Sequence, residues 1–320
     1  MLPQESLYVN TVHIELFYHA LEDNEWLDSK MQKSRSSILK HVFAHPFLLN
    51  EILAISALHL STLRLAKSLS YRSEATRLHS EALRLFNETI RTLSKDNIVA
   101  VFLFSGLFGI ATFFETFHNE SDGMKPEMGP SCLLEKIVQS TRLLQSVRSM
   151  VKVDGWWEFL KNSDIRDFLV IESSIDDAIL DLELRDEVVD QLQAFRNDTS
   201  QRRCLNNIEK LVYDEAIAKL LEVYQTAFGN GDKVPLDDHV AKKYAIRWLI
   251  LVPLTYTELL AQRKPEALVI LGHFSVVLHK LKSCWTVGNS GSQLLKVVDS
   301  HLGEGWQGLL KWPKAFIERP

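Results

Sequence analysis

Between Ile98 and Phe114 the chain reads IVAVFLFSGLFGIATFF, a run without a single charged residue. A run of that length either approaches the ~17 to 25 apolar residues that cross a bilayer or forms a helix buried on all sides of a large protein. Ser105, Gly106, Gly109 and Thr112 interrupt it, Glu115 follows it directly, and neither a Lys/Arg cluster nor an interfacial Trp or Tyr pair flanks it. It therefore reads as the buried central helix of an all-α fold, and no transmembrane segment is expected. Gly106 and Gly109 are the positions where neighbouring helices would approach closely, so Gly106→Leu is expected to cost ~1 to 3 kcal/mol by overpacking.

A core large enough to surround such a helix is available: 46% of the 320 residues are hydrophobic, enough for one large helical domain over residues 1–320. A formal net charge of -5 and a pI near 6.1 argue against a phosphate-binding surface, so direct nucleic-acid binding is not expected. Cys132, Cys204 and Cys284 are too far apart in sequence for a zinc spacing or a secreted disulfide framework, and read as reduced intracellular thiols. The opening MLPQESLYVN has no basic segment followed by an apolar one, so no secretory signal is read. The expected location is the cytoplasm, the nucleus or both.

Helical periodicity recurs along the chain. Leu7–Leu21 and Trp26–Val42 read as an entry hairpin around the acidic turn Glu22–Glu25. Pro46 suits the first turn of a helix over Phe47–Leu65, and Tyr71–Leu93 is amphipathic, with Ala75, Leu78, Ala82, Leu85, Phe86 and Ile90 on one face. Asp96 or Asn97 is placed to cap the central helix. Glycines and prolines mark a flexible loop over residues 118–131, followed by a helix over Cys132–Val151 and a short aromatic segment at Trp156–Leu160. Helices are expected over Ile175–Phe195 and Cys204–Phe228, separated by the polar Asn197–Gln201, with a turn at Gly229–Asp232. Val240–Leu260 reads as one long helix kinked at Pro253.

Chemical motifs are sparse. His41 and His45 have the i, i+4 spacing of a helical metal pair but no third ligand at a readable distance. Asp176, Asp177 and Asp181 form a DDxxxD cluster of the kind that binds magnesium, yet Glu172, Glu183, Asp186 and Glu187 around it make a solvated acidic face the simpler reading. No GxSxG, P-loop, dinucleotide fingerprint or HExxH is present. His59, within ALHL, reads as a core histidine. Neither a metal nor a cofactor is expected.

Five stretches carry a family resemblance: His45–Ser61, Tyr71–Ile90, Asn97–Phe108, Pro265–Trp285 and Gly303–Pro313. Together they resemble the regulatory region of fungal zinc-cluster transcription factors, and are most similar to the sterol uptake control proteins. The resemblance implies an all-α ligand-binding domain with an apolar pocket toward its C-terminal half, and a homodimer. It also implies a zinc cluster of six close cysteines, which the three scattered cysteines cannot form. The domain is thus expected to be either severed from a DNA-binding half or a stand-alone relative that never carried one.

Two functions follow from the resemblance. In the first, the chain is a regulatory module whose pocket binds a sterol-like or other lipophilic metabolite. In the second, it is a biosynthetic enzyme of secondary metabolism that folds a terpenoid or polyketide for cyclisation or cycloaddition, a chemistry that positioning and a few hydrogen bonds can support. The residues expected to line the cavity are Trp248, Tyr256, His273, Phe274, His279 and Trp285, with Phe104 and Phe108 at its floor. Tyr256, His273 and His279 are the polar groups that would act on a substrate.

Overall fold

A computed structural model describes residues 10–22, 32–118, 130–152, 155–166, 187–201, 205–228, 246 and 248–318. Most of the 118–131 loop, the DDxxxD cluster, Cys204 and the Gly229–Asp232 turn lie outside the described residues. Among the described residues every regular element is helical and none is a strand, so the fold is all-α. The chain divides into two compact units: Met1–Phe108 with Asp154–Ser173, and Gly109–Val153 with Ser174–Pro320.

The first unit is built on an antiparallel pair. Helix α3 (Pro46–Leu63) starts with its proline in the first turn and His45 at the N-cap position, where the missing N–H costs nothing. A 3-10 turn at Leu65–Lys67 reverses the chain into α4 (Ser68–Thr89), which buries Tyr71, Ala75, Leu78 and Ala82. Helices α1 (Thr11–Glu22) and α2 (Gln32–Ala44) both pack on α3. They also meet each other through Phe17 and Phe43, ring centroids 5.5 Å apart. Glu51 on α3 is fully buried, and His79 Nδ1 lies 3.0 Å from its carboxylate. A carboxyl group in that position requires such a hydrogen-bond partner.

Helix α5 (Ile98–His118) contains the uncharged run. It and α3 are both long and apolar enough to cross a bilayer, but 61% and 67% of their most apolar windows are buried inside the protein. Asn97 does not cap α5 with its side chain. Its Oδ1 accepts from the Ser94 N–H at 2.8 Å and its Nδ2 donates to the Thr92 carbonyl at 2.9 Å, so the amide holds the preceding turn instead. The two glycines of α5 differ. Gly106 is exposed, and a Cβ there would meet nothing within 4 Å, so the overpacking expected of Gly106→Leu has no physical basis. At Gly109 a Cβ would lie 2.0 Å from Leu144 Cδ2 of α6 (Pro130–Lys152), so Gly109 is the close-approach position. A short α7 (Trp156–Lys161) belongs to the first unit.

The second unit surrounds a helix that is buried all round. Every residue from Glu266 to Leu278 of α11 (Pro265–Lys280) is buried. Around it pack α9 (Asn207–Phe228), α10 (Leu254–Ala261), α12 (Ser290–His301), the 3-10 segment Glu304–Leu310 and α13 (Lys311–Ile317). Helix α8 (Glu187–Gln201) packs on α9, and it continues through Asn197–Gln201, the polar stretch expected to separate two helices. Gly291 lets α12 touch the α11 backbone: a Cβ there would lie 2.5 Å from both His279 N and Ser275 O.

Pro253 breaks its helix rather than kinking it. Residues 248–251 are helical, the chain leaves the helix at Val252, and Pro253 takes an extended conformation before α10 begins. The proline ring has no N–H to give the Leu249 carbonyl four residues back and crowds it as well. Gln145 of α6 compensates. Its Nε2 donates to the Leu249 and Val252 carbonyls at 3.4 and 3.1 Å, and its Oε1 accepts from Thr257 Oγ1 at 3.1 Å.

Three variants, followed by chemical denaturation, report on this packing. Gly291→Ala should destabilise the protein by about 1 to 3 kcal/mol, because the atoms in the way belong to backbone. Gln145→Leu should cost about 1 to 3 kcal/mol by leaving buried carbonyls unpaired. Gly106→Ala should instead gain about 0.5 to 1 kcal/mol through helix propensity alone.

Candidate functional site

Of the eight residues expected to line a pocket, Trp248, Tyr256 and Phe274 come together, and they do so as solid core. Trp248 stacks on Phe274 at 4.4 Å between centroids and meets Tyr256 edge-on at 5.8 Å. All three are about 1% exposed. Their polar atoms are already engaged: Trp248 Nε1 donates to the Ala216 carbonyl and Tyr256 OH to the Ala267 carbonyl, each at 3.0 Å. Burial also pushes the Tyr256 phenol far above its ordinary pKa, with Tyr213 adding to the shift, which keeps it protonated. The arrangement orients α10 and residues 248–251 against α11.

The other candidates separate. Phe104 and Phe108 lie in the first unit, where Phe104 stacks on Phe86 at 4.4 Å and Phe108 on His79 at 4.8 Å. Trp285 packs on Phe114, ring centroids 5.1 Å apart. His279 is half-buried and meets Phe316 edge-on at 6.4 Å; burial lowers its pKa, with Lys282 adding to the shift. His41 bonds to Asp164 at 2.9 Å. Among the described residues no three His, Cys, Asp or Glu side chains group to hold a metal.

His273 lines a sizeable cavity among the described residues. A cleft of about 480 Å³ opens between α8, α11, the 3-10 segment and α13, lined by residues that include Phe195, His273, Leu309 and Trp312. That volume falls within the roughly 300 to 1,000 Å³ of small-molecule sites. The His273 ring runs nearly parallel to Phe195 and to Trp312, at centroid distances of 5.9 and 6.1 Å. Asp198 and Lys311, one charge of each sign, are the exposed polar residues of its lining. His273 itself is 2% exposed. Sequence periodicity places His273, amid VILGHFSVV, only as a position inside a helical core. It missed Phe195 and Trp312, although Trp312 lies in the terminal Gly303–Pro313 stretch, since nothing local tells that α8 and α13 converge on α11.

His273 and Trp312, which both line the cleft, each carry a buried polar atom without a hydrogen-bond partner among the described residues, Nδ1 and the indole Nε1 respectively. A buried polar group left unpaired costs about 1 to 3 kcal/mol. Burial drives the His273 pKa down from 6.5 to about 4, and the neighbouring Leu309 backbone offsets only part of that shift. The ring is therefore neutral at physiological pH. A second cavity, beside Phe113 and Phe274, measures about 10 Å³ and is effectively filled.

Residues 20–118 match the model of the fungal specific transcription factor domain. The match covers the last turn of α1 through the end of α5 and includes His45–Ser61, Tyr71–Ile90 and Asn97–Phe108, so this segment is similar to that domain. The Pro265–Trp285 and Gly303–Pro313 stretches lie beyond it. No curated protein and no solved structure matches the chain.

The neutral His273 has a measurable consequence. Between about pH 6.5 and 4 the unfolded ring binds a proton that the folded ring does not, so this stability is complete above 6.5 and is lost as pH falls toward 4. The expected slope is at most about 1.4 kcal/mol per pH unit. Unfolding free energies of the parent and His273→Phe across this range should diverge accordingly; parallel pH profiles would show that the ring is not buried in its neutral form.

Proposed function

We propose that the chain is a ligand-responsive regulatory module related to fungal transcription factors, working as one domain in the nucleus or cytoplasm, with a lipophilic, sterol-like metabolite bound in its C-terminal half. The observation that carries this reading is the cleft of about 480 Å³ whose aromatic wall includes His273 of α11. A ligand there touches the helix on which the second unit is packed, so occupancy can shift the population of packing states and with it an interaction surface. A homodimer is part of the proposal, by analogy with the sterol uptake control proteins. The expected lining moves from the Trp248–Tyr256–Phe274 core, which has no room, to Phe195, His273, Leu309 and Trp312.

The catalytic alternative has no specific observation in its favour. Tyr256 is hydrogen-bonded and buried, and His279 does not line the cleft. Native mass spectrometry of the chain purified from fungal cells distinguishes the two. A regulatory module should carry a small molecule that is released unchanged on denaturation and raises the melting temperature when added back, as any ligand selective for the folded state must. Release of an altered molecule after incubation with the cellular extract would favour an enzyme. A ligand-free protein whose melting temperature no lipid extract raises would contradict the proposal.

A further inference from the structure

His19 of α1 and His59 of α3 meet where these two helices pack, and His19 Nε2 lies 3.1 Å from His59 Nδ1. Their ring centroids are 4.9 Å apart and the ring planes are inclined at 47°. Neither ring is sealed in the core: both residues are half-buried, including His59, which its ALHL context had placed there. Two neutral imidazoles bond at that distance when one nitrogen gives its hydrogen to the bare nitrogen of the other.

The same spacing is the bite of a divalent transition metal. Zinc–imidazole bonds of about 2.0 to 2.1 Å put two nitrogens about 3.3 to 3.4 Å apart at a tetrahedral ion. At the right angles of a square-planar or octahedral ion such bonds give about 2.9 Å. The observed 3.1 Å falls between these values, so the rings need only small rotations to share an ion. Protons balance as well, because the donor ring moves its hydrogen to its other nitrogen and both ligands enter as neutral imidazoles. Imidazole suits zinc, copper or nickel, whereas magnesium and calcium prefer oxygen. Among the described residues no third His, Cys, Asp or Glu joins the pair, so water would fill the remaining positions and the ion would exchange.

The sequence drew attention to a different pair. His41 and His45 have i, i+4 spacing, but their rings lie nearly parallel with centroids 6.4 Å apart, and His41 Nε2 is bonded to Asp164 at 2.9 Å. His19 and His59 are 40 residues apart, and the packing of α1 on α3 brings them together.

We infer that His19 Nε2 and His59 Nδ1 form a two-histidine site for a divalent transition-metal ion, independent of the cleft at His273, and that the bound ion pins α1 to α3. The test is calorimetric titration of zinc chloride into the full chain and into His19→Gln, His59→Gln and His41→Gln. Loss of an outer-shell partner already costs about 10- to 100-fold in metal affinity, so the first two variants should each bind at least about tenfold more weakly than the parent. His41→Gln should bind as the parent does. Ring-nitrogen NMR of the parent needs no variant to fold, and zinc should shift the His19 and His59 signals together. Equal zinc affinity in the parent and in the His19 and His59 variants would overturn the site, as would zinc that leaves both ring signals unmoved. Binding lost only in His41→Gln would overturn it in favour of the i, i+4 pair.

Discussion

The complete burial of α11 is the constraint on which the second unit depends. A helix is normally amphipathic, with one stripe toward the core and the rest toward water. From Glu266 to Leu278 this one has no exposed face, so neighbours must approach it from every side. Each Leu, Ile, Val or Phe so buried contributes about 1.5 to 3 kcal/mol against the entropy of ordering the chain. The approach must also be close. Gly291 brings α12 onto the α11 backbone, and at Gly272 a Cβ would lie 2.7 Å from Leu310 Cδ2, which fits the 3-10 segment against the same helix. Where α8 and α13 border His273 the packing does not close, and the cleft is what remains.

Burial on this scale obliges the protein to account for each polar group, and it does so by different means at different places. At Pro253 a lost backbone hydrogen bond is offset by the side chain of Gln145. At α3 the buried Glu51 is held by His79. Tyr224 donates to the His273 carbonyl at 2.7 Å, and Tyr256 to that of Ala267, tying the helix to both flanks. Against that background the unpartnered His273 Nδ1 and Trp312 Nε1 stand out, because both belong to residues lining the same cleft.

The helices themselves were legible in the sequence where local chemistry decides them. Pro46 marks the first turn of α3, and the alternating faces of α4 follow its pattern of Ala75, Leu78 and Ala82. Errors arose where a neighbour decides. Gly106 and Gly109 look alike in a one-dimensional run, yet only Gly109 faces Leu144. Pro253 reads as a kink until Gln145, more than a hundred residues earlier, is seen to take up the freed carbonyls. The candidate site shows the same limit. Trp248, Phe274 and His273 are equally apolar in context, and a buried aromatic residue reads the same whether it fills a core or walls a cavity. Only the convergence of α8, α11 and α13 separates them.

The central claim is that a ligand binds against α11 at His273, and amide hydrogen exchange tests it most directly. In the free protein the α11 amides should be among the slowest to exchange, as expected of a helix opened only by global unfolding. Addition of a saturating sterol should then slow exchange in residues 187–201 and 304–317, the segments that border the cleft. Rapid exchange throughout residues 266–278, or ligand protection confined to segments other than these, would contradict the account.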